Sequence, residues 1–290
     1  MCRGLIMINL RNFLLSLLVL FTAAGVSAAQ EKEIVFAISP MASPVSTLSI
    51  YGDFIEYLSK KTGIKILLKQ RRKYSEINDL LKTGRAQFAY TCTGAYLDGR
   101  KEFGLEVLAV PVIDGKTTYN SYIIVNKKSD IADFRRLKGK VFAFTDPLSL
   151  TGRLYPVYLL NTMNTVPGDF FRKTFYTSSH EKSIESVAYG FADGAAVDSL
   201  IYNNMKRAES SATDLVKVIR ASPPYGIPPI VASPVAQKSD KLLILSALIK
   251  MAVDPEGRDI LMQLQIERFI IPDPAIYHNA VKLTNIKLQR

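Results

Sequence analysis

A chain of 290 residues, 48% of them apolar and 22% charged, carries enough hydrophobic sequence to bury one or two cores of ordinary domain size. Its formal charge of +11 is spread along the chain, with only Lys60-Lys61 and Lys69-Gln-Arg-Arg-Lys73 as short clusters, which speaks for a solvated cationic face and against nucleic-acid binding. Two cysteines and two histidines allow neither a zinc cluster nor a convincing Cys–His pair, and no Walker loop, nucleophile elbow or dinucleotide fingerprint occurs, so no metal, cofactor or catalytic set is expected.

Residues 1–29 read as a secretory signal peptide. Arg3 and Arg11 precede an apolar stretch, 13–21, too short to span a bilayer, and small residues follow with cleavage sites ending at Ala28 or Ala29. Removal of Arg3 and Arg11 leaves a mature charge of +9. No cysteine follows the apolar stretch in a position to become a lipidated N-terminus, so a soluble exported protein is expected.

Residues 34–38 then form a first strand, and 47–60 a helix that lines up Leu48, Tyr51, Phe54, Ile55 and Leu58 on one face, with Gly63 as its stop. Strand 64–69, helix 75–82 and strand 87–91 follow. Thr91, Cys92 and Thr93 sit at the next strand-to-helix junction, whose donors suit an anion. Cys92 is alone in the mature chain and lacks a basic neighbour, so it also reads as a small packed side chain. Strand 106–113 leads to 116–126, a polar approach to an extended apolar segment that contains strand 122–126.

Strand 141–144 gives way at Thr145-Asp-Pro-Leu-Ser-Leu-Thr-Gly152 to helix 153–163. Ser149 and Thr151 stand near that helix start, where unpaired N–H groups and the dipole attract negative charge; a plain N-cap is the simpler reading of the same residues. Helix 180–189 begins at His180 after two serines. Strand 194–197 delivers Asp198 to the carboxyl edge of a sheet, where open α/β folds place ligands. Strands 216–219 and 230–232 flank a segment, 220–231, whose four prolines hold the backbone extended. Helices 241–253 and 257–265 follow, and His278 reads as structural.

This alternation predicts parallel sheets flanked by helices. No linker divides the chain, so 116–126 and 220–231 read as strands crossing between two lobes. The first lobe comprises 30–118 with 223–290, the second 119–222, and ligand is expected between them.

The motifs Asp146-Pro-Leu-Ser-Leu-Thr-Gly152, Ser178-Ser-His-Glu181 and Ala192-Asp-Gly-Ala-Ala-Val-Asp-Ser199 occur in an order and spacing that resembles the phosphate/phosphite/phosphonate-type periplasmic solute-binding proteins of ABC importers. Phe88-Ala-Tyr-Thr-Cys-Thr-Gly-Ala-Tyr96 and Tyr119-Asn-Ser-Tyr-Ile-Ile-Val-Asn-Lys127 are similar to that family's first-lobe helix start and first crossover. The resemblance covers nearly the whole mature chain. It implies an α/β, two-lobed type II periplasmic-binding-protein fold, each lobe a mainly parallel sheet flanked by helices, with two crossover strands.

Carried across, it implies that Ser149, Thr151 and the backbones of Leu150 and Gly152 cradle an oxyanion, with His180 facing the ligand. Asp198 would accept a hydrogen bond from a protonated ligand or an amine, and Tyr74 and Tyr122 match family positions. Leu150 stands where a further hydroxyl is usual, and Thr91 where an aromatic is expected, so the oxyanion stays open among phosphonate, phosphite, phosphate and similar solutes. The implied partner is an ABC permease, with the protein a periplasmic monomer. A sensor subunit feeding a membrane kinase is the alternative, and an enzyme on the same fold, with His180 as base and Asp198 as acid partner, a more distant one.

Overall fold

The computed structural model describes residues 32–41 and 44–285, except for the side chains of 44–50. The signal peptide expected at 1–29 and the Leu48 side chain on the first helix lie outside these described parts. In chain order the main elements of the first lobe are β1 (Glu33–Ile38), α1 (Pro44–Thr62), β2 (Lys65–Gln70), α2 (Tyr74–Lys82), β3 (Phe88–Tyr90), α3 (Thr93–Phe103) and β4 (Glu106–Val112). The chain passes through β5 (Thr118–Tyr119) into β6 (Ser121–Asn126), β7 (Val141–Phe144), α4 (Tyr155–Thr162), β8 (Lys173–Tyr176), α5 (His180–Ala188), β9 (Gly194–Asp198), α6 (Ser199–Arg207) and β10 (Val216–Ala221). It returns through β11 (Tyr225–Gly226) to β12 (Ile230–Ala232), α7 (Lys238–Lys250), α8 (Pro255–Gln263), β13 (Arg268–Ile270) and α9 (His278–Thr284).

The strands form a six-stranded sheet ordered β13-β4-β12-β3-β1-β2 and a five-stranded sheet ordered β10-β6-β9-β7-β8. Each sheet is mixed rather than mainly parallel. β1 runs parallel to β2 and β3, as strands joined through helices must, whereas β12 enters from the other lobe and pairs antiparallel with both β3 and β4. In the second sheet β7 lies parallel to β8 and β9, while β6 and β10 are antiparallel for the same reason. Between the sheets the two connecting segments pair with each other, Tyr225 opposite Tyr119 and Gly226 opposite Thr118.

The central strands are buried on both faces, which is why they read as continuous apolar runs. In the first lobe Phe36 stacks on Phe88 at 6.4 Å and meets Phe54 of α1 edge-on at 5.9 Å. In the second, Phe142 stacks on Phe171 at 4.5 Å, and Ile184 and Val187 of α5 close a smaller core over Ile124 and Val197. Gly63 ends α1 at φ +67°, a left-handed conformation that a side chain strains, and its N–H reaches the Ser59 carbonyl.

Candidate functional site

The turn after β7 is fixed by its own side chains. Asp146 accepts the Leu148 N–H at 2.8 Å and, from the first lobe, the Tyr74 N–H at 3.2 Å. Ser149 accepts the Gly152 N–H at 3.0 Å, and its carbonyl takes the N–H groups of both Arg153 and Leu154. The helix expected from 153 therefore begins earlier, as a π-helical turn, Leu150–Leu154, that runs into α4. Ser149 is its cap, the simpler of its two readings, and the Gly152 N–H is committed to that cap. Only glycine fits at 152, since a Cβ there would lie 2.3 Å from Thr145 Oγ1. Thr151 differs: its carbonyl accepts the Ser121 hydroxyl at 2.7 Å, but its own Oγ1 is buried without a partner.

His180 opens α5, and Thr145 Oγ1 lies 3.1 Å from its Nδ1. The Asp198 N–H also donates to Nδ1, at 3.1 Å, so the neutral ring carries its proton on Nε2, which is buried and unpartnered. Burial lowers the imidazole pKa to about 3. Asp198 ends β9 and caps α6, with Oδ1 accepting the Leu200 N–H at 2.7 Å. Burial pushes this carboxyl up to about 7, against the opposing pull of the Leu200 and Ile201 N–H groups.

The first lobe contributes Tyr74, the first residue of α2, fully buried with an unpartnered hydroxyl. The hydroxyl of Tyr119, on β5, is also buried without a partner. The neighbouring junction is occupied internally: Thr91 bonds Ser39 at 2.7 Å and Thr93 donates to the Gly226 carbonyl at 2.8 Å. Cys92 is buried and its thiol pushed up to about 11, burial outweighing the Leu150 and Gly94 N–H groups that face it. Tyr122 takes another course. Its ring meets Tyr202 at 5.6 Å and packs against the smaller core, whereas Ser121 beside it reaches Thr151.

Tyr74, Tyr119, Thr151 and His180 thus each present a buried donor with no acceptor. Asp198 is their common neighbour: its charge acts on both tyrosines, its N–H holds His180, and it pairs in register with Ser121, which holds Thr151. Leaving such a group unsatisfied costs about 1–3 kcal/mol, so these four buried donors mark the region as the candidate site for an acceptor-rich ligand. No lysine or arginine is buried among the described residues, so the donors are neutral dipoles. Tyr119, Thr145 and Asp146 lie among these groups, although the sequence motifs that contain them mark no ligand contact at these three positions.

The two lobes meet around these groups. The His180 N–H donates to the Met41 carbonyl at 3.1 Å, and a Cβ on Gly94, at the start of α3, would come within 2.1 Å of the Leu148 carbonyl oxygen. Beside Asp198 lies a pocket of about 80 Å³ with walls from both lobes, including Tyr51 and Tyr90 from the first and Leu200 and Ile201 from the second.

A family model described as the periplasmic substrate-binding protein of a phosphonate ABC transporter matches residues 36–277. A curated relative, a probable ABC transporter phosphite-binding protein, PhnD1, from Prochlorococcus marinus (strain MIT 9301), is 27% identical over 114 residues. That match spans 37% of this chain and 38% of the relative's length. Among solved structures, a binding protein component of an ABC phosphonate transporter from Pseudomonas aeruginosa superposes with a TM-score of 0.82 at 24% identity, covering 88% of this chain and 86% of that one. PhnD1 from Prochlorococcus marinus in complex with methylphosphonate superposes with a TM-score of 0.78 at 19% identity, covering 87% and 97%.

Proposed function

Because this chain belongs to the family of periplasmic substrate-binding proteins of phosphonate ABC transporters, we propose that it captures a small oxyanion, a phosphonate or phosphite in the first instance, between its lobes and delivers it to an ABC permease. The observation that carries this reading is the set of four buried, unpartnered donors, Tyr74 Oη, Tyr119 Oη, Thr151 Oγ1 and His180 Nε2. Three hydroxyls and one imidazole N–H match the acceptor-only oxygens of a tetrahedral anion without a full counter-charge. The donors belong to both lobes and the connecting ribbon, so one ligand touches all of them only when the lobes are together. Binding then favours the closed arrangement over the open one by population shift.

Binding rather than turnover fits the site's electrostatics. With its thiol raised to about 11, Cys92 is a poor nucleophile near neutral pH, and a histidine held near pKa 3 is a poor general base. The relative solved with methylphosphonate supports a phosphorus oxyanion as the first compound to try. Calorimetry on the refolded, ligand-free protein with methylphosphonate, phosphite, phosphate and sulfate tests the proposal. Saturable binding of a phosphorus oxyanion, weakened in Thr151→Val, is expected; heat of binding from none of the four would overturn it.

A further inference from the structure

The pocket beside Asp198 is larger and more apolar than an inorganic anion or a methyl group requires. Ile38 and Met41 wall it from the first lobe, Leu200 and Ile201 from the start of α6, and Leu264 and Ile266 from the segment after α8. The rings of Tyr51 and Tyr90 meet edge-on along it, 5.9 Å apart. One water needs roughly 10–15 Å³ of such space, so about 80 Å³ accommodates several non-hydrogen atoms beyond the anionic head.

The polar groups at its outer end are already engaged with one another. Gln265 donates to Asn204 Oδ1 at 2.5 Å and accepts from Arg207 Nε at 2.8 Å, and Arg207 lies 3.6 Å from Asp114. These contacts join α6 of the second lobe to the first and close the pocket when the lobes are together. They leave the Arg207 guanidinium at the mouth, while the Asp198 carboxyl lines the same pocket.

We propose, building on the oxyanion reading above, that the ligand is an organophosphonate-type anion whose uncharged apolar substituent of about three or four carbons fills this pocket, while its head occupies the donors around Asp198. The substituent then supplies selectivity over phosphate and phosphite by burying apolar surface that neither of them has.

The test is a calorimetric series on the ligand-free full chain with phosphite and with methyl-, ethyl-, propyl- and butylphosphonate. Affinity should climb about fourfold per added methylene to butyl. In Leu264→Phe and Ile201→Phe, where a larger side chain fills the pocket, the butyl-to-methyl affinity ratio should collapse towards one. A flat or falling series, or an unchanged ratio in both variants, overturns this inference while leaving the oxyanion reading standing. Failure of every compound to bind overturns that reading, and this one with it.

Discussion

The backbone N–H of Asp198 donates to Nδ1 of His180 across 3.1 Å, and that bond decides what the imidazole offers the site. One ring nitrogen is held as an acceptor, so the other must be an N–H donor as long as the ring stays neutral. Burial keeps it neutral, with a pKa near 3.

The first prediction is that His180 is a non-titrating Nε2–H tautomer. Nitrogen-15 NMR of the imidazoles in the closed, ligand-saturated protein should show its pattern constant from about pH 5 to about pH 8, while an exposed histidine changes across this range. Replacing it as His180→Ala should weaken ligand binding by about tenfold or more, since an acceptor on the anion loses its donor. A ring that titrates near pH 6.5 would show that the proton is not fixed in this way.

The unpartnered hydroxyls separate binding from stability. In Tyr74→Phe, Tyr119→Phe and Thr151→Val the deleted hydroxyl makes no hydrogen bond of good geometry in the protein, with Ser149 near the first and Thr93 near the second, so the ligand-free melting temperature should hold or rise. Each should nonetheless bind the anion about tenfold more weakly or worse. Thr145→Val is the contrast: its hydroxyl lies 3.1 Å from both His180 and Ser183, so its removal should lower stability as well. Tyr122→Phe should leave affinity unchanged, because that ring packs against Tyr202. Loss of melting temperature in all three deletions, with affinity intact, would count against a receptor built from these groups.

The contrast between Tyr119 and Tyr122 shows where the sequence was legible. Ser149, Thr151, His180 and Asp198 lie at strand ends and helix starts, positions that local spacing betrays, and the structure gathers them in one region. The direction of Tyr119 is set by pairing with Tyr225, more than a hundred residues away, and no local pattern encodes that. Tyr122 looked equivalent, but it lies on the face of β6 turned to the smaller core. β8 carries no apolar signal because its residues Lys173, Thr174 and Tyr176 are exposed, and β13 little of one because it buries only Phe269, unlike the equally short but fully buried β3 and β12. The mixed sheets have the same origin: strand direction follows the chain's path between lobes, whereas the apolar pattern marks only burial.

Asp198 and His180 should give the closed protein opposing pH dependences. The Asp198 pKa of about 7 exceeds its ordinary 3.8, so the native state binds the extra proton; this stabilisation is complete below about pH 3.8 and is lost as the pH rises to about 7. The His180 pKa of about 3 falls below its ordinary 6.5, so the unfolded state binds the proton, and stability is lost as the pH falls from about 6.5 towards 3. The two slopes oppose one another between 3.8 and 6.5. Asp198→Asn, which keeps a cap for α6, should expose the acid limb as a steeper fall in melting temperature below pH 6.5, and should raise stability near pH 8. Identical melting profiles for this variant and the parent between pH 4 and 8 would contradict the buried carboxyl's role.

Gly94 offers a direct handle on closure. It opens α3 at the point where the lobes touch, and a Cβ there would stand 2.1 Å from the Leu148 carbonyl oxygen and 2.8 Å from the Leu150 nitrogen. Both are backbone atoms of the opposite lobe, so neither can swing aside as a side-chain tip does, whereas separating the lobes relieves the clash at once. Gly94→Ala should therefore fold normally but resist closing. Small-angle scattering should show the parent's radius of gyration shrinking on addition of saturating ligand and the variant's staying at its open value, with affinity reduced about tenfold or more because the donors on the two sides no longer meet on one anion. Equal compaction of the two proteins would mean that this contact does not govern the approach of the lobes.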